Sequence, residues 1–325
     1  MRAPEFWRHD SAAARALAPL AALWRWGAAR RLERAESYRP AVPVICVGNV
    51  VAGGAGKTPV AIALARHLAT AGRTPHLLTR GHGGTEIGPR QVDPVRHDAA
   101  RVGDEALLLA EAAPTWVARD RREGAVAAVA TGADLLIMDD GFQSGALTLD
   151  LALLVADGGY GFGNGRAIPA GPCREAPATA LARADALVIV GPDRAGLGAL
   201  AARHDLPVLT ARLVPTADAP DLAGRRLVAF AGIGLPEKFF ATLTGLGAEL
   251  VLTRAFPDHH PFRRAEIEEI LAEAEARGAV AITTAKDRVR LPADLRDRVA
   301  MLPVELAWDD PAALSPLLDR IGVRP

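Results

Sequence analysis

The sequence is short of lysine: 35 of its 38 basic residues are arginine, leaving Lys57, Lys238 and Lys286. A lysine that persists against such a bias marks a position where a compact ammonium on a flexible stem can matter. Cysteine is equally sparse. Cys46 and Cys173 lie far apart and form no C-x-x-C pair, which excludes a zinc framework or disulfide scaffold and fits a reducing cytoplasm. Acidic and basic residues balance at 38 each, so there is no global basic field to hold nucleic acid by counterion release, and no nucleic-acid partner is expected. Long apolar runs are missing too. The longest uncharged stretch near the N-terminus, residues 16–24, has nine residues and contains Pro19, against the roughly 20 needed to cross a bilayer. Glu5 and Asp10 precede that run and arginines follow it, which argues against a cleaved signal peptide. There are no repeats or low-complexity linkers, and no obligate protein partner is evident.

What is present is a chain of 325 residues, half of them hydrophobic and only 5% aromatic, long enough for one large α/β domain or two joined lobes. Short apolar runs at residues 42–47, 76–79, 115–118, 134–139, 149–155 and 186–190 alternate with Ala-rich helical stretches. This pattern predicts βαβ units in a P-loop NTPase-type, mostly parallel sheet flanked by helices. A second series at residues 226–231, 250–253, 280–284 and 299–306, with a helix over 262–276, predicts a smaller C-terminal α/β lobe. The expected division is an N-terminal helix at 1–36, a P-loop core at 37–220 and the C-terminal lobe at 221–325. The N-terminal stretch 11–34 carries Trp24, Trp26, Arg25, Arg30, Arg31 and Arg34. It reads either as an interfacial helix on a membrane surface or as a helix packed on the protein's own surface.

Residues 48–59 read G-N-V-V-A-G-G-A-G-K-T-P between an apolar strand and an amphipathic helix, the context a phosphate loop requires. Backbone N–H groups across Gly53, Gly54, Ala55 and Gly56 can close on phosphate oxygens, Lys57 can reach the β- and γ-phosphates of ATP, and the Thr58 hydroxyl can ligate Mg²⁺. One departure stands out: Val51 occupies the place of the usual first glycine. A second apolar strand ends in Asp139-Asp140-Gly141-Phe142-Gln143, and an acidic pair at a strand's carboxyl end is where P-loop enzymes hold the metal.

Ala52 stands where the partner-switching ATPases carry a second lysine, and T-T-A-K-D at 283–287 does not fit the guanine motif N-K-x-D. A kinase is thereby favoured over a switch, with a P-loop regulator or metallochaperone-type GTPase as the alternative. A kinase needs a group to orient or deprotonate its acceptor hydroxyl. Asp104, in V-G-D-E, is either that base or a helix cap. The loop F-P-D-H-H-P-F at 256–262 offers His259 or His260 as its partner, or is a surface turn. Arg80 and Arg119, at predicted strand ends, are candidates for phosphate or acceptor contacts.

These motifs, with R-G-H-G-G (80–84), P-A-G-P-C-R-E (169–175), A-G-I-G-L-P-E-K-F-F (231–240) and T-T-A-K-D, resemble the tetraacyldisaccharide 4'-kinase family of lipid A biosynthesis over residues 39–291. The resemblance implies transfer of the ATP γ-phosphate to the 4'-hydroxyl of a tetraacylated glucosamine disaccharide 1-phosphate, a lipid A precursor, at the cytoplasmic face of the inner membrane. It also implies an Asp-His dyad at Asp104 and His259. His82, Ser144 and Ala285 depart from the family's usual Tyr, His and Glu.

Overall fold

Every second residue of the central strand faces one side of a sheet, yet all five residues of Val44–Gly48 are buried, because helices cover both faces and a strand buried on both sides reads as a continuous apolar run. The computed structural model describes residues 4–323; residues 1–3 and 324–325, at the ends of the first and last expected segments, lie outside the described residues. Thirteen strands follow in chain order: β1 (Val44–Gly48), β2 (Pro75–Thr79), β3 (Arg90–Gln91), β4 (Thr115–Val117), β5 (Leu135–Asp139), β6 (Leu151–Asp157), β7 (Ala186–Val190), β8 (Val208–Pro215), β9 (Arg226–Ala231), β10 (Glu249–Ala255), β11 (Val280–Thr284), β12 (Ala300–Leu302) and β13 (Val304–Trp308). Nine form one sheet in the order β13-β8-β7-β6-β1-β5-β2-β4-β3, and four form a second in the order β10-β9-β11-β12. The large sheet is parallel except where β3 and β13 join its two edges antiparallel.

Alternation along β1 splits the core in two. Val44 and Cys46 point into one apolar cluster with Leu136 and Met138, while Ile45 and Val47 point into the other with Leu135 and Ile137. Helix Lys57–Thr70 seals the second face with Val60, Ala61, Leu64, Ala65 and Leu68, a stripe at helical spacing. The small sheet is packed around fully buried Phe230, whose ring meets Phe262 edge-on at 5.5 Å.

One expected strand divides. Residues 299–306 become β12 in the small sheet and β13 in the large one, with Pro303 between them. A proline has no N–H for the ladder, so the chain leaves one sheet there and enters the other, and the small sheet ends at Leu302. Strand β8, which β13 joins, was missing from the sequence reading because its burial alternates with solvent and its apolar content is diluted by Thr210 and Arg212.

Near the N-terminus, helices Ala12–Ala16 and Ala18–Glu33 lie against the loop 165–176. Ala21 packs on Ala167 and Ala170, the Trp24 indole donates to the Arg174 carbonyl at 3.0 Å, and Trp7 donates to the Pro169 carbonyl at 3.1 Å. Small residues make the inner face, while Leu20, Leu23 and Trp26 remain 55 to 63% exposed.

Candidate active site

Strands β1 and β5 are parallel neighbours in register, with Val47 beside Asp139. Both end at the same edge, so the loop leaving β1 and the acidic pair closing β5 share one rim, as the carboxyl ends of parallel strands dictate. In the loop, Gly53 and Gly56 take φ of 133° and 90°, values that suit glycine. The position of the missing glycine has its own explanation. Val51 is buried and bridges to Cys173, while the Ala52 N–H donates to the Pro172 carbonyl at 2.8 Å. The first half of the loop is therefore braced by the segment 172–174, and conformational freedom is confined to its second half.

Lys57 and Thr58 open the following helix, both buried. The Thr58 hydroxyl donates to Asp139 Oδ2 at 3.3 Å. Asp139 Oδ1 is buried with no hydrogen-bond partner among the described residues. Burial pushes this carboxyl up to about 7, with Glu105 adding to the push and Lys57 opposing it. An orphaned buried carboxylate oxygen beside a threonine hydroxyl fits a divalent cation. No cluster of three or more His, Cys, Asp or Glu suited to a metal occurs among the described residues.

Asp140 is differently placed. Its backbone is left-handed at φ 52°, and its two oxygens accept from Arg174 Nη1 at 2.8 and 3.0 Å, with Lys57 Nζ 3.8 Å away. Burial pushes this carboxyl up, but Lys57 and Arg174 outweigh it and hold it below the ordinary range. The two aspartates thus divide into an ion-paired member and a member with one oxygen unpartnered among the described residues. Arg121 lies beneath them, donating through Nη2 to the Asp139 carbonyl at 3.3 Å, and burial pulls it down to about 10.

The structure brings Asp104 together with His259 across 155 residues of chain: His259 Nδ1 sits 3.0 Å from Asp104 Oδ2. His260 turns the other way, bonding Glu266 at 3.1 Å and stacking on Phe256. The left-handed backbone of His259, φ 57°, swings the two rings apart. Asp104 is 3% exposed; Oδ1 accepts the Glu105 N–H at 2.9 Å, and Arg290 Nε lies 3.4 Å from Oδ2. Burial raises this carboxyl, yet the His259 hydrogen bond and the charge of Lys286 more than reverse it, and the group sits below the usual carboxylate range. Asp104 also opens helix Asp104–Ala110, but no side-chain cap accounts for its position.

Arg80 and Arg119 are exposed and line a groove of about 1290 Å³ that also contacts Glu105, Arg121, Asp139 and Arg174. Its opposite wall is the N-terminal helix, through Leu20, Leu23 and Trp24. The small sheet closes over the phosphate loop: a Cβ on Gly234 would come within 3.1 Å of the Gly54 nitrogen. Sequence reasoning did not single out Arg121, Arg174 or Arg290. Arg174 stands in a quoted motif and could have been found there; in a chain with 35 arginines nothing local marks the other two.

The sequence profile of the LpxK family, tetraacyldisaccharide-1-P 4'-kinase, matches residues 13–322. A tetraacyldisaccharide 4'-kinase of Paramagnetospirillum magneticum is 67% identical over the whole of both chains. One of Rhodospirillum centenum is 54% identical, covering 98% of this chain and 96% of that one. A crystal structure of LpxK from Aquifex aeolicus in complex with ATP superposes with a TM-score of 0.74 at 25% identity, over 95% of this chain and 99% of that one. With a shared fold, a match along nearly its whole length and relatives this similar, the chain belongs to the tetraacyldisaccharide 4'-kinase family.

Proposed function

We infer that this protein transfers the γ-phosphate of ATP to the 4'-hydroxyl of a tetraacylated glucosamine disaccharide 1-phosphate, the lipid A precursor on which its family acts. The observation that carries the reading is a single groove lined by the acidic pair and an apolar helix face, with Thr58 at the end of the phosphate loop bonded to Asp139 in its lining. Gly53, Gly54, Ala55 and Gly56 offer backbone N–H groups to ATP, and Lys57 draws its phosphate charge forward. Thr58 and Asp139 would hold Mg²⁺, which when bound supplies positive charge to the phosphate oxygens. Asp140 keeps Lys57 and Arg174 oriented. Asp104 accepts the proton of the sugar hydroxyl, and His259 fixes the carboxylate that does so. The test is label transfer from γ-labelled ATP to the tetraacyldisaccharide 1-phosphate in mixed micelles. Label in the lipid fraction supports the reading; folded, ATP-binding protein that leaves the lipid unlabelled overturns it. We further propose two functional bodies, a P-loop core of residues 37–220 completed by 304–323, and a lobe of 221–302.

The high proton affinity of Asp139 has a measurable consequence. Between its ordinary value of 3.8 and about 7, the folded protein holds a proton there that the unfolded chain has released, so through this group stability falls as pH rises. Mg²⁺ with ATP competes for the same oxygen. The rise in Tm produced by Mg-ATP should therefore be larger at pH 8 than at pH 5.5, while Asp139→Asn should flatten that difference.

The surface of a membrane is the proposed setting. No described helix is long and apolar enough to cross one. Leu20, Leu23 and Trp26 project from the N-terminal helix, and Arg30 stacks over Trp26 at 4.7 Å, an arrangement suited to headgroup depth. Deleting residues 1–36 would also strip the contacts to residues 165–176, so substituting only exposed residues is the cleaner experiment. Trp26→Ser, at an exposed residue outside the groove lining, should lose about tenfold in binding to anionic vesicles, with turnover of micellar acceptor nearly unchanged. Equal losses in both would sink the anchoring reading.

A further inference from the structure

Lys286 lies 22% exposed by side chain between the two lobes, on the one-turn helix Ala285–Arg288 that follows β11. Three acceptors surround its ammonium: Glu105 Oε1 at 3.2 Å, His259 Nε2 at 3.2 Å and Asp258 Oδ1 at 3.6 Å. The turn that carries it is tightly held. The Asp287 N–H donates to Thr284 Oγ1 at 3.1 Å, and Asp287 Oδ1 accepts from the Gly232 N–H at 3.0 Å and from Arg290 at 2.6 Å. Gly232 in turn accepts the His259 N–H at 3.1 Å. The lysine and the histidine are thus fixed to one short stretch of backbone.

An ammonium has three N–H donors and no lone pair. Its 3.2 Å contact with His259 Nε2 is a hydrogen bond only if that nitrogen is bare, which puts the ring proton on Nδ1, facing Asp104 Oδ2. We propose that Lys286 is a positioning residue, holding His259 in the Nδ1–H tautomer so that the imidazole donates to Asp104. This rests on the reading of Asp104 as the acceptor's base. An imidazolium would aim a second N–H at the ammonium, placing two donors and two positive charges face to face. Burial works against the Lys286 charge, but Glu105, Asp258 and Asp104 outweigh it and hold the group above the ordinary lysine range. The remaining groups facing His259 are Asp258, 3.8 Å from Nε2, and His82, its ring edge-on at 5.4 Å. Arg290 reaches it only through Asp104. With the Nε2 lone pair taken by Lys286, Asp104 is the one group of the pair with a lone pair available for the hydroxyl proton. An arginine at position 286 would keep charge and donors but replace three diverging N–H bonds with a planar fork.

The experiment is histidine nitrogen NMR on the full chain, with His259 assigned by its loss in His259→Gln. Wild type should show a protonated Nδ1 and a bare Nε2 at pH 7. In Lys286→Met nothing keeps Nε2 bare, so an Nε2–H form of His259 should appear at pH 7, and kcat should fall by about tenfold with KM for the lipid little changed. Lys286→Arg should restore most of the wild-type tautomer. A protonated Nε2 in wild type, or an unchanged His259 tautomer in Lys286→Met, would overturn the proposal, and the wild-type spectrum decides the tautomer even if a variant folds poorly. Full transfer activity in Asp104→Asn would instead overturn the base assignment, whatever the tautomer.

Discussion

Asp104→Asn is expected to lower kcat for phosphoryl transfer to the lipid by about 10²- to 10⁴-fold, with ATP affinity within a few-fold of wild type. Asparagine keeps the shape of the side chain and can still accept the Glu105 N–H, which bonds Oδ1 at 2.9 Å. What it lacks is a charged oxygen able to take the acceptor's proton. The phosphate loop, Thr58 and Asp139 are untouched, so nucleotide binding is a control within the same variant. Removing the charge also leaves Lys286 and Arg290 with one anion fewer; Arg290 retains Asp287 at 2.6 Å and Lys286 retains Glu105 at 3.2 Å. A loss of stability accompanies the change, as expected when one member of a buried charged group is deleted. Thermal melting must therefore be measured beside kcat. If a folded Asp104→Asn protein turned over lipid at the wild-type rate, Asp104 would be a structural partner of His259 and Arg290 and nothing more.

Lys57→Met is expected to lower kcat by about 10²- to 10³-fold and to weaken ATP binding as well, which separates it from Asp104→Asn. The reason lies in burial. The Lys57 side chain is 9% exposed, with Asp140 Oδ1 3.8 Å away, and a desolvated ammonium acts on phosphate oxygens with little screening. Methionine fills much of the same volume, so the helix beginning at Lys57 keeps its packing through Val60, Ala61 and Leu64. Asp140 keeps Arg174 at 2.8 Å, which limits damage to the acidic pair. Nucleotide binding by calorimetry and single-turnover label transfer read the two effects separately. Wild-type ATP affinity in this variant would remove Lys57 from the phosphate site.

The local chemistry was open to reading because it is contiguous. The loop at 48–59 and D-D-G-F-Q at 139–143 each sit at the end of an apolar run, and backbone geometry alone dictates that a strand's last residues and the turn after it form one rim. Val51 was legible as a departure, but its role was not, since its partner Cys173 is 122 positions away (173 − 51). The same limit applies to the paired histidines and paired aspartates. Adjacent residues share a sequence environment, and only the φ of 57° at His259 and of 52° at Asp140 sends each away from its neighbour. The strand expected at 299–306 was legible as β structure, but not as two strands in two sheets.

The sequence by itself determined the element types, the parallel α/β class, the phosphate loop and the identity of the groups able to do chemistry, because all of these follow from periodicity and short-range spacing. Tertiary structure alone decided which of those groups meet. It paired Asp140 with Arg174 while leaving an Asp139 oxygen unpartnered among the described residues, set His259 against Asp104, and enclosed Lys286 between Glu105, Asp258 and His259. It also turned the N-terminal helix so that alanines pack inward and Leu20, Leu23 and Trp26 face out. Such pairings depend on how two sheets are docked, and docking is set by burial summed over the whole chain, which no short window of sequence contains.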